Sequence, residues 1–225
     1  MKSEYLIFNM LVIMGPLLLS FEKNVQYYKK WKFVFQAISI PMSLFILWDI
    51  LVTGRHWWFN DTFTMGIKLF ALPIEEWLFF ITVPFSSLFV WEVLAFHFKN
   101  KRLNRTHWLS KISLIFIPIG LAVFWWGMEY TALVLIAVGL TGFLDLFLKI
   151  GIFRQKRTFQ FLTLVTGLML LFNGYLTWRP VVLYDPHFQL DIRILTIPIE
   201  DFLYGASYLL MCTLFYEKLK QRKAG

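Results

Sequence analysis

The chain has 225 residues, of which 58% are hydrophobic, 20% aromatic and 16% charged, with a formal net charge of +8 and a mean hydropathy of +0.61. A soluble domain carries about 25% charged residues, so an ordinary water-soluble globule is excluded and the bilayer is the expected solvent. The basic residues fall between apolar blocks rather than along one helical face, which argues against nucleic acid as a partner, and the single Cys212 excludes a disulfide framework.

Apolar runs long enough to cross about 30 Å of hydrocarbon occur seven times. In chain order they are Tyr5–Phe21, Phe33–Val52, Trp77–Phe96, Ile112–Trp126, Thr131–Leu148, Phe159–Trp178 and Phe202–Tyr216. The first begins behind only Lys2, and no small-residue cleavage pattern follows it, so no cleavable signal peptide is expected. The runs are unbroken rather than alternating, which excludes an outer-membrane barrel. The expected fold is an all-α membrane protein with seven transmembrane helices.

Lys and Arg set the orientation. The segments after spans one, three, five and seven hold 17 of the 22, among them Lys23, Lys30, Lys99, Arg105, Lys149, Arg157, Lys218 and Lys220. Lys2, Arg55, Lys68, Arg179 and Arg193 fall on the other side. By the positive-inside rule the N-terminus lies outside the plasma membrane and the C-terminus in the cytoplasm.

Sliding the sequence against itself gives one ungapped offset, 125 residues, at which Glu4-Tyr5 falls on Glu129-Tyr130 and Lys68 on Arg193. At the same offset Pro73-Ile74-Glu75-Glu76 falls on Pro198-Ile199-Glu200-Asp201, and Glu92 on Glu217. Spans one to three thus correspond to spans five to seven, and the single crossing between them gives both halves the same orientation. The architecture is a 3+1+3 parallel internal repeat, with its axis along the membrane normal. Residues 1–98 form the first repeat, 99–128 a connector with the fourth helix, and 129–225 the second repeat.

Ionisable groups near hydrocarbon are costly and point to function. Glu75, Glu76, Glu200 and Asp201 are the outstanding ones: each pair follows a proline suited to a first helical turn, and apolar residues precede each pair. Acids at a helix N-terminus can merely complement its dipole, but four at one membrane depth can meet across facing helices. In a poorly solvated pocket one carboxyl can then serve as general acid and another as base. Neighbouring helical residues point about 100° apart, so one acid of each pair is central; Glu75 and Glu200, identical in both repeats, are the first choice. Asp49 and Asn173, polar residues inside spans two and six, either line the cavity or make ordinary interhelical bonds. Asp145 pairs with Lys149 one turn on, and Glu92 and Glu217 are interfacial. His56, His97, His107 and His187 show no metal-like spacing.

Tryptophans near span ends, such as Trp57, Trp77, Trp91 and Trp178, fit interfacial belts. Yet 25 Phe, 10 Trp and 9 Tyr exceed what anchoring needs, and such faces suit a polyene and can stabilise a carbocation. No phosphate-binding loop, dinucleotide fingerprint or HExxH occurs, so no cofactor is expected. A retinal protein would need a lysine within span seven, and Lys218 lies past its end.

The paired PIEEWLFF and PIEDFLYG segments resemble the PxE(E/D) signature of the integral-membrane lycopene cyclases, whose two small subunits also occur fused. So do Leu47-Trp48-Asp49 leading to Trp58-Phe59-Asn60, and Asn173-Gly174 leading to Pro180–Tyr184. The resemblance spans the whole chain. It implies cofactor-independent isomerisation of lycopene, in which an acid protonates C2 of a linear end, the C5=C6 bond attacks the C1 cation, and a base removes the C6 proton to give a β-ionone ring. It implies Glu75, Glu76, Glu200 and Asp201 as catalytic residues. Trp48, Asp49, Asn60, Asn173, Trp77, Phe202 and Tyr204 are the expected substrate-binding residues. The partners implied are a linear carotenoid, the lipid bilayer and other carotenoid-pathway enzymes. A cyclase of longer, C50 carotenoids and a carotenoid hydratase are the nearest alternatives. A small-solute transporter is a further one, disfavoured by how few Asn, Gln, Ser and Thr the spans hold.

Overall fold

The computed structural model describes residues 2–98, 101–103, 106 and 108–224; Lys99, Arg105 and His107 lie outside the described residues. The helices follow the expected order: α1 (Glu4–Leu19), α2 (Trp31–Val52), α3 (Ile74–His97), α4 (Leu109–Ile112), α5 (Phe116–Trp125), α6 (Glu129–Leu148), α7 (Lys156–Trp178) and α8 (Ile199–Ala224). A 3₁₀ turn, Ser113–Ile115, joins α4 and α5 into one rod. Among the described residues, four helical stretches are long and apolar enough to cross a membrane on their own: Tyr27–Val52, Ile74–His97, Glu129–Leu148 and Lys156–Trp178. The first helix and the α4–α5 rod are apolar but shorter, while α8 carries acids at its start and a basic tail at its end. Leu18, Leu51 and Trp125 are among many large apolar side chains left on the outer surface, as expected where lipid is the solvent.

The halves interlock. α3 packs on α1 and α8 on α6, while each middle helix crosses to the other half, α2 onto α8 and α7 onto α3. The α4–α5 rod lies against α6 along Gly120, Gly139 and Gly142, where a Cβ would collide with the facing helix. Proline interrupts α1 at Pro16 and α3 at Pro84, each freeing the carbonyl four residues earlier. Those carbonyls are satisfied from neighbouring helices: Ser86 Oγ donates to Val12 O at 3.0 Å, and Tyr208 Oη to Phe80 O at 2.6 Å. A buried backbone group without water needs such a partner.

Charges close both ends of the bundle. At one end Glu4 accepts from Arg179 at 2.7 Å and Glu129 pairs with Arg55, so each half is clamped to the other. At the opposite end Glu92 is buried between Lys30 and Lys220. Beside it Glu217 accepts from Trp91 Nε1 at 2.8 Å, and the Arg157 guanidinium lies over the Trp91 ring. Glu92 and Trp91 are therefore core groups, not interfacial ones. Trp57 is likewise buried. Asp145 does not serve Lys149: it accepts from Ser110 Oγ at 2.5 Å and Ile152 N at 2.7 Å, tying the connector to α6.

Three short ribbons appear that the apolar runs had hidden. β1 (Trp57–Phe59) pairs antiparallel with β4 (Val182–Tyr184). β2 (Lys68–Leu69) turns into β3 (Leu72–Pro73), and β5 (Arg193–Ile194) into β6 (Ile197–Pro198), in the same register 125 residues apart. Each hairpin feeds directly into an acidic helix.

Candidate active site

The β2–β3 and β5–β6 hairpins fix where α3 and α8 begin. Ile74 N bonds Ile67 O and Ile199 N bonds Ile192 O, both at 2.9 Å, so each acidic pair falls in a first helical turn. The two acids of a pair then part company. Glu75 Oε1 accepts from Met65 N at 2.7 Å, and Glu200 Oε1 from Leu190 N at 2.8 Å. Thr131 Oγ1 also donates to Glu200, at 2.6 Å. These acids fasten the loop ahead of each hairpin to its helix.

Glu76 and Asp201 face a cavity of about 340 Å³ enclosed by α1, α3, α7, α8 and the β1–β4 ribbon. Tyr5 Oη donates to Glu76 Oε2 at 2.5 Å, and Tyr130 Oη to Asp201 Oδ1 at 2.5 Å. Both contacts join a first-helix tyrosine to the second acid of the motif, and they are related by the 125-residue offset. Asp201 has two further donors on Oδ2, Tyr184 Oη at 2.7 Å and Asn173 Nδ2 at 2.8 Å. Burial pushes the Tyr184 phenol up from its ordinary value, so it stays a donor. A third carboxyl, Asp49, borders the same cavity and accepts from Tyr204 Oη at 3.0 Å.

Around these acids the wall is aromatic. Trp57 meets Tyr130 edge-on at 5.0 Å, Tyr5 stacks on Phe59 at 6.4 Å, and Tyr204 is backed from behind the wall by Phe45 at 4.9 Å. Such an enclosure offers π faces to a cation and little to a polar solute.

The two repeats differ in bulk at positions that line this cavity. The cavity is lined by Gly205 and Gly15; their counterparts at the 125-residue offset are Phe80, fully buried, and Leu140. Bulk thus occupies the symmetry-related positions.

Several expected residues lie elsewhere. Glu75 and Glu200, the first choice for the central pair, do not line the cavity, whereas Glu76 and Asp201 do. Asp49, Asn173 and Tyr204 are on the wall, but Trp48, Asn60, Trp77 and Phe202 are not. Trp48 packs against His56. Asn60 Oδ1 caps its own loop at Thr62 N, 3.0 Å away. Trp77 donates to Leu69 O in the hairpin. Trp77 and Phe202 each follow the inward acid by one residue, which turns them about 100° from it. The tyrosines Tyr5, Tyr130 and Tyr184 were missed. The alignment of Glu4-Tyr5 with Glu129-Tyr130 was the signal that could have found two of them.

The sequence profile of the lycopene cyclase family matches the chain twice, over residues 2–94 and 127–219. The chain belongs to the lycopene cyclase family. The two matched stretches are themselves 125 residues apart, so the family unit is one three-helix half, and this cyclase-family chain carries two of them with the α4–α5 rod between. A carotenoid substrate and a role in cyclisation follow from that membership. No curated protein and no solved structure matches the chain.

Proposed function

We propose that this protein is a lycopene β-cyclase, with Glu76 as general acid and Asp201 as general base. The observation that carries the reading is that these two repeat-related carboxyls face one apolar, aromatic-walled cavity with unequal sets of donors. Three donors on Asp201 favour a carboxylate there, while Glu76 has one side-chain donor and is the better proton source.

In this scheme Glu76 delivers a proton to C2 of a linear end and leaves a cation at C1. The C5=C6 pair attacks C1, closing the ring and moving the charge to C5. Asp201 then takes the C6 proton, whose electrons form the new C5=C6 double bond of a β ring. One proton is added and one removed, so the reaction is an isomerisation that needs no redox cofactor. Asp201 ends protonated and Glu76 ionised, and a proton passes back before the next turnover. The rings of Trp57, Tyr130 and Tyr204 stabilise the cation, and the scarcity of polar groups keeps water from trapping it. Glu75, Glu200 and the cavity residues Asp49 and Asn173 support this pair. One cavity that takes one linear end at a time would cyclise the two ends in turn, through a monocyclic intermediate.

Seven crossings complete the reading, with the N-terminus outside and the C-terminus in the cytoplasm of the plasma membrane. The gathering of Lys30, Arg157 and Lys220 at one end of the bundle supports it. The test is to express the protein in a bacterial host that accumulates lycopene and to chromatograph the pigments. Bicyclic β-carotene preceded by a monocyclic product is expected. Unchanged lycopene, with the protein present in the membrane, would overturn the assignment and favour a longer carotenoid as substrate.

A further inference from the structure

The cavity does not stop at the carboxyls. Its wall follows α3 from Glu76 to Val90 and α1 from Tyr5 to Pro16, and fourteen residues of helix amount to about 21 Å. The arm away from the acids is apolar apart from Ser86, Ser87 and Tyr208, and Ser86 and Tyr208 already donate to Val12 O and Phe80 O. A compact polar ligand would leave this arm empty, whereas a long hydrocarbon chain fills it.

The arm opens to one side. α1 and α7 both line it, yet they meet chiefly near the acidic end. There Glu4 accepts from Tyr175 Oη at 2.5 Å and from Arg179 Nε at 2.7 Å, and Phe8 meets Phe172 edge-on at 5.8 Å. Beyond that pair, Leu11 and Leu168 border the cavity while remaining 56% and 42% exposed on the outer surface. A side chain that lines a cavity and also faces outward forms its rim. Gly15, one turn beyond Leu11 on α1, also lines the cavity and is exposed, with no atom of the described residues within 4 Å of where a Cβ would stand. The Val12 carbonyl freed by Pro16 is held by Ser86 of α3, so this part of α1 is anchored to α3.

We propose that a linear carotenoid enters and leaves sideways from the bilayer, between α1 and α7 across Gly15, and that the part of the polyene beyond the reacting end lies in this gap. The proposal rests on the carotenoid reading above and adds the route and the subsite. An apolar rim fits a substrate dissolved in lipid, since passage through an aqueous face would first expose its apolar surface to water. Gly15 is the residue that keeps the route open: its counterpart in the other half is Leu140.

The test uses the full chain with lycopene. Gly15→Trp adds bulk to open space and is expected to lower conversion at least tenfold at equal membrane abundance. Gly167→Trp places the same bulk on an exposed position of α7 off the cavity wall and is expected to behave as wild type. Should Gly15→Trp not accumulate, Gly15→Cys treated with a benzyl thiosulfonate reagent gives the same answer reversibly. Conversion should fall on labelling and return with dithiothreitol, and added lycopene should protect the introduced thiol. The native Cys212 is buried and is not expected to react. Wild-type conversion by Gly15→Trp, or labelling of Gly15→Cys without loss and without protection by lycopene, would overturn the route. Failure of the wild-type protein to convert lycopene would instead overturn the functional reading, and protection of the Gly15→Cys thiol would still decide the route.

Discussion

Trp58 pairs with Leu183, its own counterpart 125 residues further on, at the centre of the β1–β4 ribbon. On either side Trp57 faces Tyr184 and Phe59 faces Val182, so exchanging the halves maps the ribbon onto itself. An antiparallel pairing with that property is a local two-fold axis. Alternation along the strand buries Trp57 and Phe59 and exposes Trp58, and all four residues flanking the central pair line the cavity. The axis therefore runs through the roof of the cavity, which equivalent carboxyls from the two halves both face. The symmetry is then broken by chemistry, Glu76 against Asp201, and by bulk, Phe80 against Gly205.

The first prediction separates the acids within each pair. Glu76→Gln and Asp201→Asn keep the shape of the side chain but remove the proton donor or the base. General acid–base groups contribute roughly 10²–10⁴-fold, so each should lose conversion by at least that lower bound without loss of membrane abundance. Glu75→Gln retains an oxygen for Met65 N and should keep substantial activity. Pigment chromatography with immunodetection of the protein checks both. Robust turnover by Glu76→Gln would remove it from the acid role.

The tyrosines carry a second prediction. Tyr130→Phe takes one of three donors from Asp201, whereas Tyr5→Phe takes the single side-chain donor from Glu76. A hydrogen bond to a charged group contributes about 1.5–3 kcal/mol, so Tyr130→Phe and Tyr184→Phe should each slow the reaction about tenfold or more. Their combination should lower the rate by more than the product of the two, because Asn173 alone then holds the anion. Initial rates in membranes with added lycopene would measure this; multiplicative effects would mean that the two phenols act independently.

The helix order and the two-fold plan were legible because apolar length and basic clusters are one-dimensional signals. Helix starts were missed by up to three residues, since the polar first turns of α3 and α8 interrupt the apolar runs. Which acid faces inward was not legible. Glu75 and Glu200 are identical and accept from equivalent loop N–H groups, Met65 and Leu190, while the pair facing the cavity differs, Glu76 against Asp201. Trp48 and Asn60 lie near the site in sequence but pack against His56 and Thr62, a choice made by loop geometry that spacing does not encode. The off-axis opening at Gly15 depends on the absence of a side chain and leaves no periodic signature.

A third prediction concerns the connector. At Gly142 a Cβ would collide with Ser113 Oγ and approach Ser110 O to 2.7 Å, and at Gly120 it would come within 2.6 Å of Ala132 O. Backbone atoms cannot yield as a side-chain tip does, so Gly142→Leu should destabilise the fold by about 1–3 kcal/mol or more. The readout is thermal unfolding in detergent, where a lower midpoint is expected. Gly167→Leu, with open space around it, should leave the midpoint unchanged, and equal midpoints for all three proteins would refute close packing of α4 and the Ser113–Ile115 turn on α6.

The last prediction is a pH dependence set by His56. Its ring is buried, stacked on Phe188 at 4.5 Å, with Nε2 3.1 Å from Glu129 Oε2. Nδ1 is buried and has no hydrogen-bond partner among the described residues. Burial pushes the imidazole down from its ordinary value, outweighing the pull of Glu129, with Arg55 opposing the charge and Asp185 favouring it. The unfolded chain binds a proton near pH 6.5 that the folded chain still refuses. The stability from a neutral His56 is therefore fully present above about pH 6.5 and is lost as the pH falls through the lower folded value. Between pH 7 and 5 the unfolding midpoint of the wild-type protein should drop more steeply than that of His56→Gln, which keeps a donor for Glu129 but cannot titrate. Parallel profiles for the two proteins would mean that His56 carries its charge in the folded state, as the ion partner of Glu129 rather than its neutral donor.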